Sequence, residues 1–198
     1  MIGFASNQAL LGKCQQAKAT VAAGLAFARG RIGLPGAALV SAACNDLPQA
    51  QSLLDESLKL YPKDTSVASM MAPLIRAEVE QNRGNSAQAI QLLESIRSYD
   101  FGLIMGVTNN YLRGKLYLQQ RMGNEAAAEF QKIIDHRGVD ALSPVHALSH
   151  LGLARAAAIT GDTAKSRKEY QDFFALWKDS DQDLPILAEA RKEYEQVK

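Results

Sequence analysis

His146 and His150 stand four residues apart, a spacing that puts two imidazoles on one face of a helix, where they could chelate a metal ion. The residues between them, Ala147-Leu148-Ser149, lack the glutamate a zinc peptidase uses as general base, and a third ligand would have to come from elsewhere. The pair is therefore expected to be surface histidines or to line a joint between helices. Asp179, Asp181 and Asp183 alternate, but a calcium-binding loop needs a glycine and a distal glutamate at set positions, and neither fits. That stretch is expected to be a solvated loop, with Asp183 capping the helix that follows. Gly30-Arg31-Ile32-Gly33-Leu34-Pro35-Gly36 holds three glycines at the wrong spacing for a phosphate cradle, so an interhelical loop is expected. Asp135-His136-Arg137-Gly138 reads as a helix end, its basic side chains near the last carbonyls. There is no phosphate loop ending in Gly-Lys-Ser/Thr and no Gly-x-Ser-x-Gly nucleophile elbow. The expectation is a chain with no catalytic residue, no metal and no cofactor: not an enzyme.

Charge and cysteines narrow the class further. Lys plus Arg is 22 and Asp plus Glu 21, a net charge of +1, which gives no electrostatic footprint for nucleic acid. No apolar run approaches the roughly 20 residues that cross a bilayer. No basic segment followed by an apolar core opens the chain. Leu11-Gly12-Lys13-Cys14 has the outline of a lipoprotein cleavage site, but Lys13 stands where a small residue belongs. Cys14 and Cys44 are too few for a disulfide framework, and both lie in Ala-rich helical patterns. They are expected to be small buried hydrophobes, and the protein cytoplasmic, with no membrane partner.

The elements that would carry these residues are helices. Ala occurs 31 times and Leu 24 times, against 23 for Val, Ile and Thr together, a balance that favours helix because β-branched side chains crowd the preceding turn. Amphipathic spacing predicts helices near 2–11, 14–29, 34–44, 47–60, 65–82, 86–98, 105–121, 125–135, 144–160, 163–178 and 185–197. A small turn followed by an Ala-rich helix recurs at Asn45-Asp46, Gly84-Asn85, Gly123-Asn124 and Gly161-Asp162, with a weaker joint at Gly12-Lys13. Gly or Asn tolerates the left-handed conformation that ends one helix. Asp46, Asn85, Asn124 and Asp162 would then cap the next by accepting from its first amides. Helix pairs joined this tightly pack antiparallel, and pairs stacked in series make a solenoid.

The small and large residues within the pairs resemble the tetratricopeptide repeat. One unit carries Leu34, Ala37-Ala38 and Ser41, then Ala50, Leu54 and Pro62. Another carries Arg113-Gly114 and Tyr117, then Ala126 and Phe130, and a third Leu153-Ala154 and Ala157, then Tyr170. Departures are the missing tryptophan of that family, Arg113 in place of a hydrophobe, Ser166 in place of a small apolar residue, and a poor match around Pro73 and Arg76. The repeat is also longer than the usual ~34 residues, with the excess placed in loops near 99–106 and 137–143. The resemblance implies an all-α, right-handed superhelical solenoid forming one domain over 1–198. Its units fall near 1–30, 31–64, 65–104, 105–142 and 143–180, with a capping helix at 184–198.

A narrower resemblance covers the last half. Tyr111-Leu112-Arg113-Gly114, His150-Leu151-Gly152-Leu153-Ala154-Arg155 and Tyr170-Gln171-Asp172-Phe173-Phe174-Ala175-Leu176-Trp177-Lys178 look like the C-terminal repeat region of bacterial serine/threonine protein kinases of the eukaryotic-like type. Similar repeats follow winged-helix DNA-binding domains in some bacterial regulators. That resemblance implies a fragment of a longer protein, a docking or regulatory tail whose catalytic or DNA-binding domain lies outside this chain. The repeat family implies a non-catalytic module holding a protein or peptide in its concave groove. By register, the polar groove residues are Glu78, Asn82, Tyr111, Lys115, Gln119 and Arg155. Ile2, Phe4, Leu10 and Leu11 give the first helix no polar outer face, so it is expected to pack on another domain or on a second copy, as a homodimer.

Overall fold

A computed structural model describes residues 1–197. Among them every regular element is helical, and no helix is long and apolar enough to cross a membrane. Lys198, the last residue of the expected capping helix, lies outside the described residues. The chain groups into two compact bodies, Met1–Met105 and Gly106–Lys198.

In the first body, α1 (Ile2–Leu10), α2 (Cys14–Phe27), α3 (Gly33–Ala43), α4 (Leu47–Leu60), α5 (Ala72–Asn82) and α6 (Ser86–Glu94) follow one another. The long helix expected at 65–82 is divided. Its first six residues, Ser66–Met71, are wound as a π-helix, in which the Ala72 amide reaches back five residues to the Val67 carbonyl. Pro73 is the cause we assign. It has no N–H for the α-ladder and its ring crowds the carbonyl four residues earlier, so the turn ahead of it widens. Similarly, the helix expected over 86–98 stops at Glu94 and yields to a short 3-10 turn, Arg97–Tyr99.

The core of this body is built from small and aliphatic residues. Ala5, Ala17, Val21, Leu25, Leu34, Ala37, Ala38, Leu53, Leu54 and Ile75 form one buried cluster. Ile2 lies across two glycines: a Cβ on Gly24 would meet it at 3.3 Å and one on Gly36 at 2.6 Å. So Ile2 packs inward, Leu10 and Leu11 are half-buried, and Phe4 remains 63% exposed.

The cysteine expectation is corrected here. Cys14 and Cys44 are joined in a disulfide, with Cα atoms 5.5 Å apart, so they are neither free nor inert fillers. The bond pins the start of α2 to the α3–α4 joint. Beside it, Lys18, one turn along α2, reaches Asp46 at 2.9 Å. The spacing of two cysteines in sequence carried no sign that the fold brings them together.

In the second body, α7 (Thr108–Gln119), α8 (Gly123–Asp135), α9 (Val145–Thr160), α10 (Thr163–Leu176) and α11 (Pro185–Gln196) are each packed on the next, and α7 also meets α9. The α8 helix sits against both α7 and α9 through Phe130. Cβ atoms added to Gly114 on α7 or to Gly152 on α9 would each fall 2.6 Å from its ring. The close approach of three helices thus depends on two glycines facing one phenyl. Leu112, Leu116, Ile133, Leu151, Leu153, Tyr170 and Phe173 complete the buried layer.

The joints match the sequence expectation in most places. Gly12, Asn45, Gly84 and Gly161 all adopt the left-handed conformation, with φ of 77°, 56°, 83° and 81°. Asp46 and Asp162 cap as expected, accepting from the amides of Gln49 and Lys165 at 3.4 and 3.0 Å. Two caps are corrected. Asn85 makes no side-chain cap bond, and its amide instead donates to Glu80 Oε2 at 2.6 Å. At the third joint the left-handed residue is Arg121, and Met122 precedes the helix, so Asn124 lies inside α8. Gly123 is required for another reason: a Cβ there would sit 2.8 Å from the Ala156 carbonyl oxygen of α9. At the last helix Leu184, 4% exposed, takes the position expected of Asp183, because burying its side chain anchors the start of α11 ahead of Pro185.

Candidate functional site

The sequence-derived groove residues divide between the two bodies. In the first, Glu78 and Asn82 lie one turn apart on α5. Glu78 is buried, whereas Asn82 is at the surface and donates from Nδ2 to the carbonyls of Ala42 on α3 and Glu78, at 2.8 and 3.0 Å. Asn82 therefore ties the end of α5 to the end of α3.

In the second body Tyr111, Lys115 and Gln119 form a stripe along α7, each one turn beyond the last, with exposure rising from half-buried to exposed. Tyr111 rests edge-on against Phe130, ring centroids 6.0 Å apart, and Lys115 Nζ stands 5.9 Å from the Tyr111 ring. That is cation–π distance, so the phenol carries a positive charge on its outer side. Arg155 is not part of this stripe. Its guanidinium makes a two-pronged bond to Glu193 of α11, both contacts 2.9 Å, and meets Glu189 at 3.1 Å. Burial disfavours the Arg155 charge, but the Glu193 hydrogen bond and the neighbouring carboxylates outweigh it and hold the pKa above its usual range. Tyr170 donates to the same Glu193 at 2.8 Å; burial first, then that carboxylate, pushes its phenol pKa upward. Arg155 is thus engaged in seating the last helix.

A polar network not anticipated from sequence lies behind the α7 stripe. Arg113 is fully buried, and its Nε and Nη2 both lie 3.1 Å from Glu129 Oε2 of α8. Asn110 donates to the same oxygen at 2.9 Å, and Lys132 reaches Glu129 Oε1 at 2.8 Å. Burial works against the Glu129 charge, but Lys132, Arg113 and Asn110 together hold its pKa below the usual carboxylate range. The signal was present in Arg113 standing where the repeat resemblance expects a hydrophobe. Glu129, sixteen residues on, carried no matching mark.

The histidines separate. His146 Nε2 meets the Val139 carbonyl at 2.9 Å, while His150 Nδ1 meets Glu169 Oε2 of α10 at 2.7 Å. His150, Glu169 and Asp172 do present three donor atoms within 4.8 Å of one another. His150 is engaged with Glu169, a bond that fastens α9 to α10, and Asp172 is engaged with Lys168 Nζ at 2.6 Å within α10. Asp140, in the loop before α9, lies across Gly106 and accepts from the Val107 amide at 3.3 Å, supplying the start of α7 with a carboxylate from another segment.

The α7 stripe offers one aromatic ring, one cation and one amide on a rigid helix, backed by a satisfied buried ion pair. No family model, curated protein or solved structure matches this chain.

Proposed function

We propose that this chain is a tetratricopeptide-like interaction module that binds a peptide or a protein segment without transforming it. The observation that carries the reading is Phe130 against Gly114, a large residue and a small one at the positions the repeat resemblance gives them, with Gly152 of α9 also against the ring. The recurring left-handed joints at residues 12, 45, 84 and 161 support it. In a solenoid of this kind the first helix of each pair faces the ligand, which gives the recognition surface of the second body to Tyr111, Lys115 and Gln119 on α7.

A randomised peptide library displayed against the whole chain tests this. Selected peptides are expected to slow amide exchange on α7, and Tyr111→Ala with Lys115→Ala is expected to weaken them by about 2 kcal/mol, the threshold for a hot spot. Protection confined to α8, or peptides indifferent to both substitutions, would defeat the reading.

The Cys14–Cys44 bond favours an oxidising compartment over the cytoplasm expected from sequence. Alkylation of the protein as its own cells make it decides the matter: two blocked thiols return it to the cytoplasm, two unreactive sulfurs place it outside.

A further inference from the structure

Beyond the α7 stripe, and sharing no residue with it, a cleft of about 290 Å³ opens between the last turn of α10 and α11. Phe174, Trp177, Tyr194 and Leu187 give it apolar surface, and Lys178 and Arg191 give it two cations. Among the described residues no carboxylate lines it. The rings are set by one another: Tyr194 meets Phe174 edge-on at 5.7 Å, and Trp177 leans on buried Phe173 at 4.9 Å. Arg191 is held by Gln182 Oε1 at 2.5 Å and faces no acidic partner among the described residues, while Lys178 stands 4.0 Å from Asp179, beyond hydrogen-bond reach.

Compare Arg155 on the same helical body, whose charge is matched by two glutamates of α11. The fold satisfies one arginine fully and presents the other beside three aromatic rings. A guanidinium pairs with a carboxylate through two parallel N–H bonds. An aromatic wall prefers a flat apolar partner in stacked or edge contact. The volume is at the small end of ligand pockets, enough for one ring-bearing group.

We propose that this cleft binds an aromatic carboxylate, the ring against Trp177, Phe174 and Tyr194 and the carboxylate on Arg191 and Lys178. A free aryl carboxylic acid and the C-terminal aromatic residue of a peptide share this chemistry, and the test separates them.

Trp177 is the only tryptophan in the chain, so its emission reports on the cleft directly. Phenylacetate titrated into the whole protein is expected to change that emission saturably, with phenylacetamide about ten-fold weaker, one charge-assisted contact being lost. Arg191→Gln is expected to cost phenylacetate about ten-fold and to abolish its advantage over the amide, with the melting temperature unchanged. Lys178→Gln should give a smaller loss of the same kind. N-acetyl-glycyl-phenylalanine binding more tightly than phenylacetate assigns the site to a peptide terminus; binding no better assigns it to the free acid. An absent or linear emission change, an amide equal to the acid, or an Arg191→Gln variant that still prefers the acid would overturn the proposal.

Discussion

From Met1 to Met105 the largest fully buried side chains are aliphatic or Met: Leu34, Leu53, Leu54, Leu74, Ile75, Leu93, Ile96 and Met105. From Gly106 onward they are Arg113, Tyr170, Phe130 and Phe173. The first body brings its helices close with alanines and glycines, then adds a covalent bond between the start of α2 and the end of α3. The second wedges rings between helices and buries an arginine against a glutamate. Small side chains let helices approach but remove little apolar surface from water, so a cross-link that restricts the unfolded chain contributes more there. Large rings remove much surface and need no cross-link, but leave a cavity when truncated. Two bodies of similar helix content therefore fail in different ways.

Phe130→Ala should show the difference most strongly. It leaves a cavity facing Gly114 and Gly152, and is expected to cost the second body about 3–5 kcal/mol. Native-state hydrogen exchange should register the loss in α7–α9 and leave α2–α4 unchanged. Equal loss in both bodies would erase the contrast.

Next in size is the disulfide. It closes a loop with a sequence separation of 30, for which chain entropy predicts roughly 3–4 kcal/mol. The paired Cys14→Ser, Cys44→Ser variant should lose protection in α2 and α3, with α8 and α9 unaltered in the same exchange experiment. Amides of α2 as slow as in the parent would mean that the small-residue core suffices alone.

The smallest effect is a dependence on pH. Glu129 titrates lower folded than unfolded, so its contribution is complete above the unfolded carboxylate range and drains away as pH falls through that range toward the folded pKa. Urea unfolding followed from pH 7 down to pH 3 should show the second body losing stability as pH falls. Glu129→Gln should flatten that slope while lowering stability at pH 7, because Arg113 is then buried without its counter-charge. A variant as steep as the parent would remove Glu129 as the source.

Helix positions were legible because they depend on local chemistry. The span 47–60 read from Asp46, Pro48 and the leucine spacing is the span of α4. What escaped was decided by partners distant in sequence. Gly123 is ambiguous on its own, since a glycine serves a left-handed turn or a close approach equally well, and only the Ala156 carbonyl beside it tells which. Asn85 has the chemistry of a cap, but Glu80 offers its amide a charged acceptor. Cys14 and Cys44, Arg113 and Glu129, and Arg155 and Glu193 were each visible singly, and none of the pairings was. Of the proposed surface, the Tyr111–Lys115–Gln119 stripe follows from helical spacing alone. The Arg191 cleft depends on how α11 folds back, which no local pattern encodes.

The ring of Phe130 also constrains how this chain can drift over generations. Gly114, Gly152 and Phe130 sit on three different helices, yet none has room to change by itself. A methyl gained at either glycine has to be matched by a slimmer group at 130, and a broader aromatic at 130 has nowhere to go. Relatives of this protein should vary at the three positions in concert, and a single lineage with alanine at 152 and phenylalanine kept at 130 would carry a displaced ninth helix as its signature.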